Sequence, residues 1–577
     1  MTSAVAALRE AWRTRWPDAL GAWSKLARLS EPRWCTTRRE EGENGLTGSF
    51  AMYRLLDRAV VVSVRQVRSL GLEAFPVEVL AHEIGHHVYV PADLADKARI
   101  LARIRRGLPG KEGLAALVSN LWSDLLINDR LQRSARLDMA GVYRALRSPT
   151  VEGAFAVYLR AYERLWSLPT GDLVGRRLTD EEDLDASFLA DLARTHAADP
   201  IRGAGPFAAV LYAHLPDAVP GRLPSFVDFG GEDEGDEAPG GLVELGEGDD
   251  EEPRHPGEVE DPDERVPLEA APAAGREAAS GRKARFRDPS AWTELMKSVG
   301  VRLSDADLVV QYYRELARSF SIRFPPVLAP DATDTIPEGL VPWEPGSSTS
   351  RIDWPATLAR SPVVIPGLTT VEREDAPDSP STPGARPPDL YVGVDCSGSM
   401  FDPAKVVSYP VLAAVVLAKA ALAAGARVMA TLSGEPGRYA STNGFVRHEH
   451  EVLTVLTSYL GTGYAFGAER LRETFVTKPT FRPPVRLFLV TDSDFFTMLG
   501  ATTGGWELAS EVVSAAGGGA VAALDRSTGP SHRGQIARLA ACGWQVRPVS
   551  TAEDLVALAR AVGRDLYAPA SRRRVPS

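Results

Sequence analysis

The stretch Tyr391–Met400 reads YVGVDCSGSM. With Leu390 ahead of it, the run Tyr391, Val392, Val394 is apolar and short, as in a strand buried on both faces of a parallel sheet. It ends in Asp395-Cys396-Ser397-Gly398-Ser399, which places one carboxylate and two hydroxyls in a tight loop at the strand's C-terminal end. Open α/β sheets bind their ligands at that end. Carboxylate, hydroxyl and water oxygens together suit a hard divalent cation such as Mg²⁺.

Outward from this loop, a second buried run, Val485–Val490 (VRLFLV), is closed by Thr491-Asp492. Between the two runs, Gly461-Thr462-Gly463 precedes the helix-like AFGAERLRETF. The pattern from 386 on alternates: strands at 389–394, 427–432, 485–491, 519–524 and 544–549, helices at 403–424, 464–475, 505–516, 532–541 and 551–564. That predicts a doubly wound α/β sheet covered on both faces.

A strand-end DxSxS, a Gly-flanked Thr and a strand-end Asp, in this order, resemble the metal-ion-dependent adhesion site of von Willebrand factor A domains. The resemblance covers about residues 386–570. It implies Asp395, Ser397, Ser399, Thr462 and Asp492 as Mg²⁺ ligands, with one metal position left for an acidic side chain of a partner. The loop GTGYAF departs from the commoner GGTD form, which leaves Thr462 the weakest member of the set. Asp494 is a candidate neighbour of the ligands.

In the N-terminal part, apolar residues at helical spacing occupy 4–29, and Ser49–Tyr53 and Ala59–Val64 read as short strands. Ala81-His82-Glu83-Ile84-Gly85-His86-His87 follows. His82 and His86, four apart, lie on one helix face about a turn apart and can share a Zn²⁺ ion. Glu83 is then placed to take a proton from an attacking water. A third ligand is needed. On the helix expected at 114–131, Asn120-Leu-Trp-Ser-Asp124-Leu-Leu-Ile-Asn128 sets Asp124 and Asn128 on one polar face among apolar neighbours. A carboxylate there is costly unless paired or bound to metal, so Asp124 is the nominated ligand, Asn128 its orienting neighbour and Asp129 the fallback. The helices expected at 136–167 and 181–214 show no catalytic cluster, and His87, His196 and His214 read as structural or exposed. No residue stands out as an oxyanion donor.

HExxH followed by N-x-x-x-D-x-x-x-N resembles a bacterial family with a zincin-like metallopeptidase domain ahead of a von Willebrand A-like domain. The resemblance covers most of the chain except its middle. It implies zinc on His82, His86 and Asp124, with Glu83 as catalytic base. It also implies a protein substrate and a MoxR-type AAA+ ATPase partner, in a bacterial stress or conflict system. The alternative reading is a non-enzymatic adaptor of a chelatase-like or remodelling AAA+ complex.

The 577 residues accommodate two or three domains. The boundaries read as a mainly helical domain at 1–230, a linker at 231–290, a helix and Pro-rich connector at 291–385, and the α/β domain at 386–570. Residues 231–265 carry sixteen Asp/Glu against two Arg, a net of −14 where the whole chain carries −11. The rest is therefore close to neutral, and nothing argues for nucleic acid. A segment so acidic and poor in apolar residues is expected to be disordered or extended. Ile352-Asp353-Trp354 is a candidate anchor within the irregular connector. Three dispersed cysteines give no disulfide framework or CxxC pair, and no leader or membrane span is evident, so a cytoplasmic setting is expected.

Overall fold

The computed structural model describes all residues except 1, 25–27, 47–48, 55–56, 148–150, 218–237, 247–248, 250–251, 259–284, 322–335, 377–386, 398–399, 434–437, 463–467, 478, 480, 483, 526–531, 550 and 568–577. The chain divides into two compact units. Unit 1 is Met1–Leu316 with Pro403–Val407, and unit 2 is Ala317–Asp402 with Ser408–Ser577. No helix among the described residues is long and apolar enough to cross a membrane.

Unit 1 runs α1 (Thr2–Arg13), α2 (Trp16–Trp23), β1 (Arg33–Cys35), α3 (Arg38–Glu43), β2 (Ala51–Arg54), β3 (Ala59–Ser63), α4 (Val64–Ser69), α5 (Pro76–Val88), α6 (Leu94–Arg106), α7 (Ala115–Arg133), α8 (Met139–Ala145), α9 (Gly153–Leu165), α10 (Asp180–Thr195), α11 (Pro200–Leu211), α12 (Pro289–Ser298) and α13 (Asp305–Ser319). The sheet has three strands in the order β1-β3-β2, with β1 parallel and β2 antiparallel to β3. The three-residue β1 is too short for its alternation to be read from the sequence. The two long helices expected at 136–167 and 181–214 are each broken. Pro200 opens α11 at its first turn, where a missing N–H costs nothing.

Two helices cross tightly at Gly85. A Cβ there would lie 2.6 Å from Ile127 Cγ2 of α7 and 2.7 Å from Trp23 Cζ2 of α2. Glycine lets α7 come close to α5, which brings Asp124 within reach of the histidines.

Some described residues of the acidic middle segment make contacts that a solvated spacer would not. Leu242 and Val243 are buried. Gly241, Leu242 and Val243 donate their N–H groups to Glu315 Oε1 at 2.7, 3.0 and 3.3 Å. Asp249 pairs with Arg103, 3.1 Å away, Pro253 packs on Gly205, and His255 reaches Asp185 at 3.2 Å. Composition averages over 35 residues hide a few well-placed contacts, and these suffice to hold the strand of chain on α6, α10, α11 and α13.

Unit 2 carries β4 (Ile336–Pro342), α14 (Trp354–Arg360), β5 (Val371–Ala376), β6 (Asp389–Asp395), α15 (Tyr409–Ala423), β7 (Val428–Ser433), β8 (Tyr439–Ser441), α16 (Glu449–Leu456), α17 (Ala468–Arg472) running into a π-helical turn at Glu473–Thr477, β9 (Val485–Thr491), α18 (Asp494–Ala501), α19 (Gly505–Ala516), β10 (Gly517–Asp525), α20 (Arg533–Ala541), β11 (Trp544–Val549) and α21 (Ala552–Tyr567). The six-stranded sheet has the order β11-β10-β9-β6-β7-β8, parallel throughout except for the antiparallel edge strand β8. All seven residues of β6 are buried, as a central parallel strand requires. Tyr391, Leu487 and Leu489 pack with Phe495, Leu499, Leu508 and Val512, while α15 lies over β6 and packs with α21. The sequence pattern thus predicts the five parallel strands and misses β8, α16 and α18. The connector read as irregular contains the antiparallel pair β4–β5. Within it Ile352 is buried and Trp354 exposed, so the anchor is the isoleucine.

Candidate metal centres

Pro76 starts α5, and its apolar face (Val77, Val79, Leu80, Ile84) sets His82 and Glu83 in the interior of unit 1. On α7, Asp124 and Asn128 are likewise buried. His82 Nε2 and His86 Nε2 both lie 3.4 Å from Asp124 Oδ1. One ligand atom from each of the three residues falls within 4.8 Å of the other two. A tetrahedral ion bonded at about 2.0–2.1 Å has ligand-to-ligand edges of about 3.3–3.4 Å. Asp124 Oδ2 is buried with no hydrogen-bond partner among the described residues. A buried carboxylate oxygen left that way costs free energy unless a cation satisfies it. The donor set fits Zn²⁺.

Each ring offers its other nitrogen to a carbonyl. His82 Nδ1 is 2.7 Å from Asn128 Oδ1, and His86 Nδ1 is 3.2 Å from the Val90 carbonyl. Burial by itself works to lower the pKa of His82, but the negative charge of the neighbouring Asp124, with that of Glu83, raises it above the ordinary value. Burial lowers that of His86. Burial works to raise the pKa of Asp124, and the two histidines overcome it and hold it below the usual carboxylate range. His86, with 19% of its side chain exposed, is the member of the trio that reaches solvent. Beside it, His87 stacks on Tyr53, and the two line a cavity of about 330 Å³ with Arg58 and Leu94.

Asp129, the fallback ligand, instead pairs with Arg133 at the next turn of α7. His214 hydrogen-bonds Asp185 at 2.7 Å. The sequence reading missed Tyr143, Tyr158 and Tyr162, which are buried behind Asn128. The signal was there in YLRAY, two tyrosines four apart on one face of α9.

In unit 2 the chain leaves β6 toward β7 on one side and later returns as β9 on the other, so β6 and β9 flank the point where strand order reverses. Asp395 ends β6 and Asp492 follows β9 directly. Asp395 Oδ1 accepts from Ser397 N at 2.8 Å, and Oδ2 accepts from Thr491 Oγ1 at 3.0 Å. Ser397 forms a parallel bridge with Thr462, and both are buried. Thr462 N donates to the Cys396 carbonyl at 3.3 Å. Asp492 Oδ1 accepts from Asp494 N at 2.8 Å, while the side chain of Asp494 is exposed. Burial pushes the Asp395 carboxyl up to about 6, with the charge of Asp492 acting in the same sense. Asp395, Ser397, Thr462 and Asp492 are therefore gathered at one rim, an all-oxygen set suited to a hard cation. Ser399 lies outside the described residues. Thr491 is the member the sequence reading passed over, although it stands next to Asp492.

No family model matches this chain, and no curated protein matches it. Among solved structures it is similar to a von Willebrand factor type A protein from Catenulispora acidiphila, at 12% identity and a TM-score of 0.24. That likeness covers 34% of this chain and 44% of the other, so it spans less than half the length of that protein. The α/β assignment of unit 2 rests on its own strand order.

Proposed function

We propose that unit 1 is a zinc-dependent hydrolase acting on peptide bonds, with His82, His86 and Asp124 as ligands and Glu83 as general base. The observation that supports it is the 3.4 Å approach of both imidazole nitrogens to one carboxylate oxygen in a buried site. Zinc held there would supply Lewis acidity toward a carbonyl and toward water. Glu83 is buried next to His82 on α5, close enough for its charge to act on that ring, and would take the proton of the attacking water. Substrate would enter from the side of His86.

For unit 2 we propose Mg²⁺ on Asp395, Ser397, Ser399, Thr462 and Asp492, holding an acidic side chain of a partner. The proposed partner is a MoxR-type AAA+ ATPase that delivers protein substrate. A non-enzymatic adaptor is the second reading. It is favoured by the near-complete burial of His82 and Asp124, 1% and 2% exposed at the side chain, which is how structural metal sites are enclosed.

The test is zinc stoichiometry and cleavage of an unfolded protein such as casein, measured on the full chain. Wild type and Glu83→Gln should each retain one zinc, Asp124→Ala should retain none, and only wild type should cleave. Zinc bound by all three proteins would refute the ligand set. Zinc retained by wild type with no cleavage, even with Mg²⁺ and the ATPase present, would favour the adaptor.

A further inference from the structure

Asn128 stands between His82 and a buried group of phenols, and the direction of the hydrogen bonds that orient its amide follows from one acceptor. The main-chain carbonyl of Asp124 can only accept. The Tyr162 hydroxyl, 3.0 Å away, donates to it. Tyr158 Oη, 2.7 Å from Tyr162 Oη, then acts as donor to Tyr162. With its proton directed at the carbonyl, Tyr162 presents only lone pairs to Asn128. The Asn128 atom 2.9 Å from it is therefore the amine Nδ2. The second amine hydrogen goes to Tyr143 Oη at 3.0 Å. Oδ1 is thereby turned to His82, where it accepts the Nδ1 proton at 2.7 Å. The Nε2 of His82 is left as a lone pair on the side of Asp124. A ring in the other tautomer would aim an N–H at Asp124 and could not bind a metal ion through that nitrogen.

We propose that Tyr162, acting through Asn128, is the positioning residue that holds His82 in its metal-binding tautomer. This rests on the metal centre proposed above. The geometry suits the role. Asp124 and Asn128 stand one turn apart on α7, and Tyr162 bridges the carbonyl of the first and the amide of the second. Asn128, Tyr158 and Tyr162 are 0% exposed, so water cannot take over the vacated hydrogen bonds. Without the phenol, the amide of Asn128 keeps only Tyr143, whose hydroxyl, no longer donating to Tyr162, can donate as well as accept and so does not distinguish the two ends of the amide. It can rotate, present Nδ2 to His82 and draw the ring proton to Nε2.

The experiment measures Zn²⁺ affinity of the full chain by competition with a chromophoric chelator, with melting of the chelator-treated protein as a folding control. Tyr162→Phe should weaken zinc about 10–100-fold, the range found when the residue orienting a metal-bound histidine is lost. Asn128→Asp presents an acceptor oxygen to His82 whichever way it turns. The double variant Tyr162→Phe/Asn128→Asp should therefore regain wild-type affinity. If Tyr162 merely filled space, the second substitution would not restore binding, and that result overturns the proposal. So does a Tyr162→Phe protein that binds zinc as wild type does. A wild type whose zinc affinity is unchanged by His82→Ala would refute the metal centre itself, and with it this role for Tyr162.

Discussion

The substitution Gly85→Ala tests how helix packing sets the metal geometry. The new methyl would begin 2.6 Å from Ile127 Cγ2, 3.0 Å from Ile127 Cγ1 and 2.7 Å from Trp23 Cζ2. Carbon atoms rest at about 3.5–4.0 Å, so α7 or the Trp23 ring must move by about 1 Å. Trp23 is tied by its Nε1 to the Ala81 carbonyl at 2.6 Å, and Ile127 is fully buried, so neither is free to swing aside. Overpacking costs about 1–3 kcal/mol, and the better helix propensity of Ala returns about 1 kcal/mol. The net loss of stability is therefore small, about 0–2 kcal/mol. The metal site responds more strongly, because ligand distances tolerate only about 0.2 Å and Asp124 rides on the displaced helix. Zinc affinity should fall at least about tenfold. Competition titration reads the affinity, and melting in excess chelator reads the fold. Adding Ile127→Ala removes both of its clashing carbons and should recover part of the affinity. A Gly85→Ala protein with raised melting temperature and unaltered zinc affinity would refute the account of the α5–α7 crossing.

Three further outcomes are expected. The folded Asp395 carboxyl titrates at about 6 against an ordinary 3.8, so the folded state binds its proton more tightly. This contribution is fully present below the ordinary value and is lost as pH rises through about 6. Without divalent cation, unit 2 should therefore gain at most about 3 kcal/mol between pH 7 and pH 4, and Asp395→Asn should remove that slope in denaturant titrations. Glu163→Ala in the interior of unit 1 strips the acceptor from Gly171, Leu173 and Val174 N–H and from Arg160, a loss of about 3–5 kcal/mol by chemical denaturation; a loss under about 1 kcal/mol would contradict the pinning role. His255→Ala removes the 3.2 Å approach to Asp185 and a ring contact with Phe188, so trypsin should cut after the exposed Arg254 about fivefold faster while unit 1 melts as before. An unchanged cleavage rate would mean that other contacts hold the segment.

The long parallel strands were legible because each is a run of apolar residues of the right length, and β9 and β11 match their predicted bounds. β8 escaped because three residues carry too little pattern. In the acidic segment, mean composition reports on solvation and cannot register that Leu242, Val243 and His255 each find a partner far away in the chain. Asp124 could be nominated because a lone carboxylate on an apolar helix demands a reason. Tyr162 could not, since a tyrosine on an apolar face is satisfied by ordinary core packing.

By itself, the sequence determined what depends on short-range periodicity. His82 and His86 share a helix face because they are four residues apart, and Asp395 sits at a strand end because an apolar run stops there. Only the tertiary structure decided which distant groups meet. Asp124 rather than Asp129 faces the imidazoles, Thr491 on the neighbouring strand joins the loop residue Ser397 in holding Asp395, and Tyr162 fixes Asn128. Neighbouring positions on one helix differ by about 100° in direction, and which of them faces a partner is set by how the helices cross. That crossing depends on the side chains of several elements at once, as the approach of Ile127 and Trp23 to Gly85 illustrates.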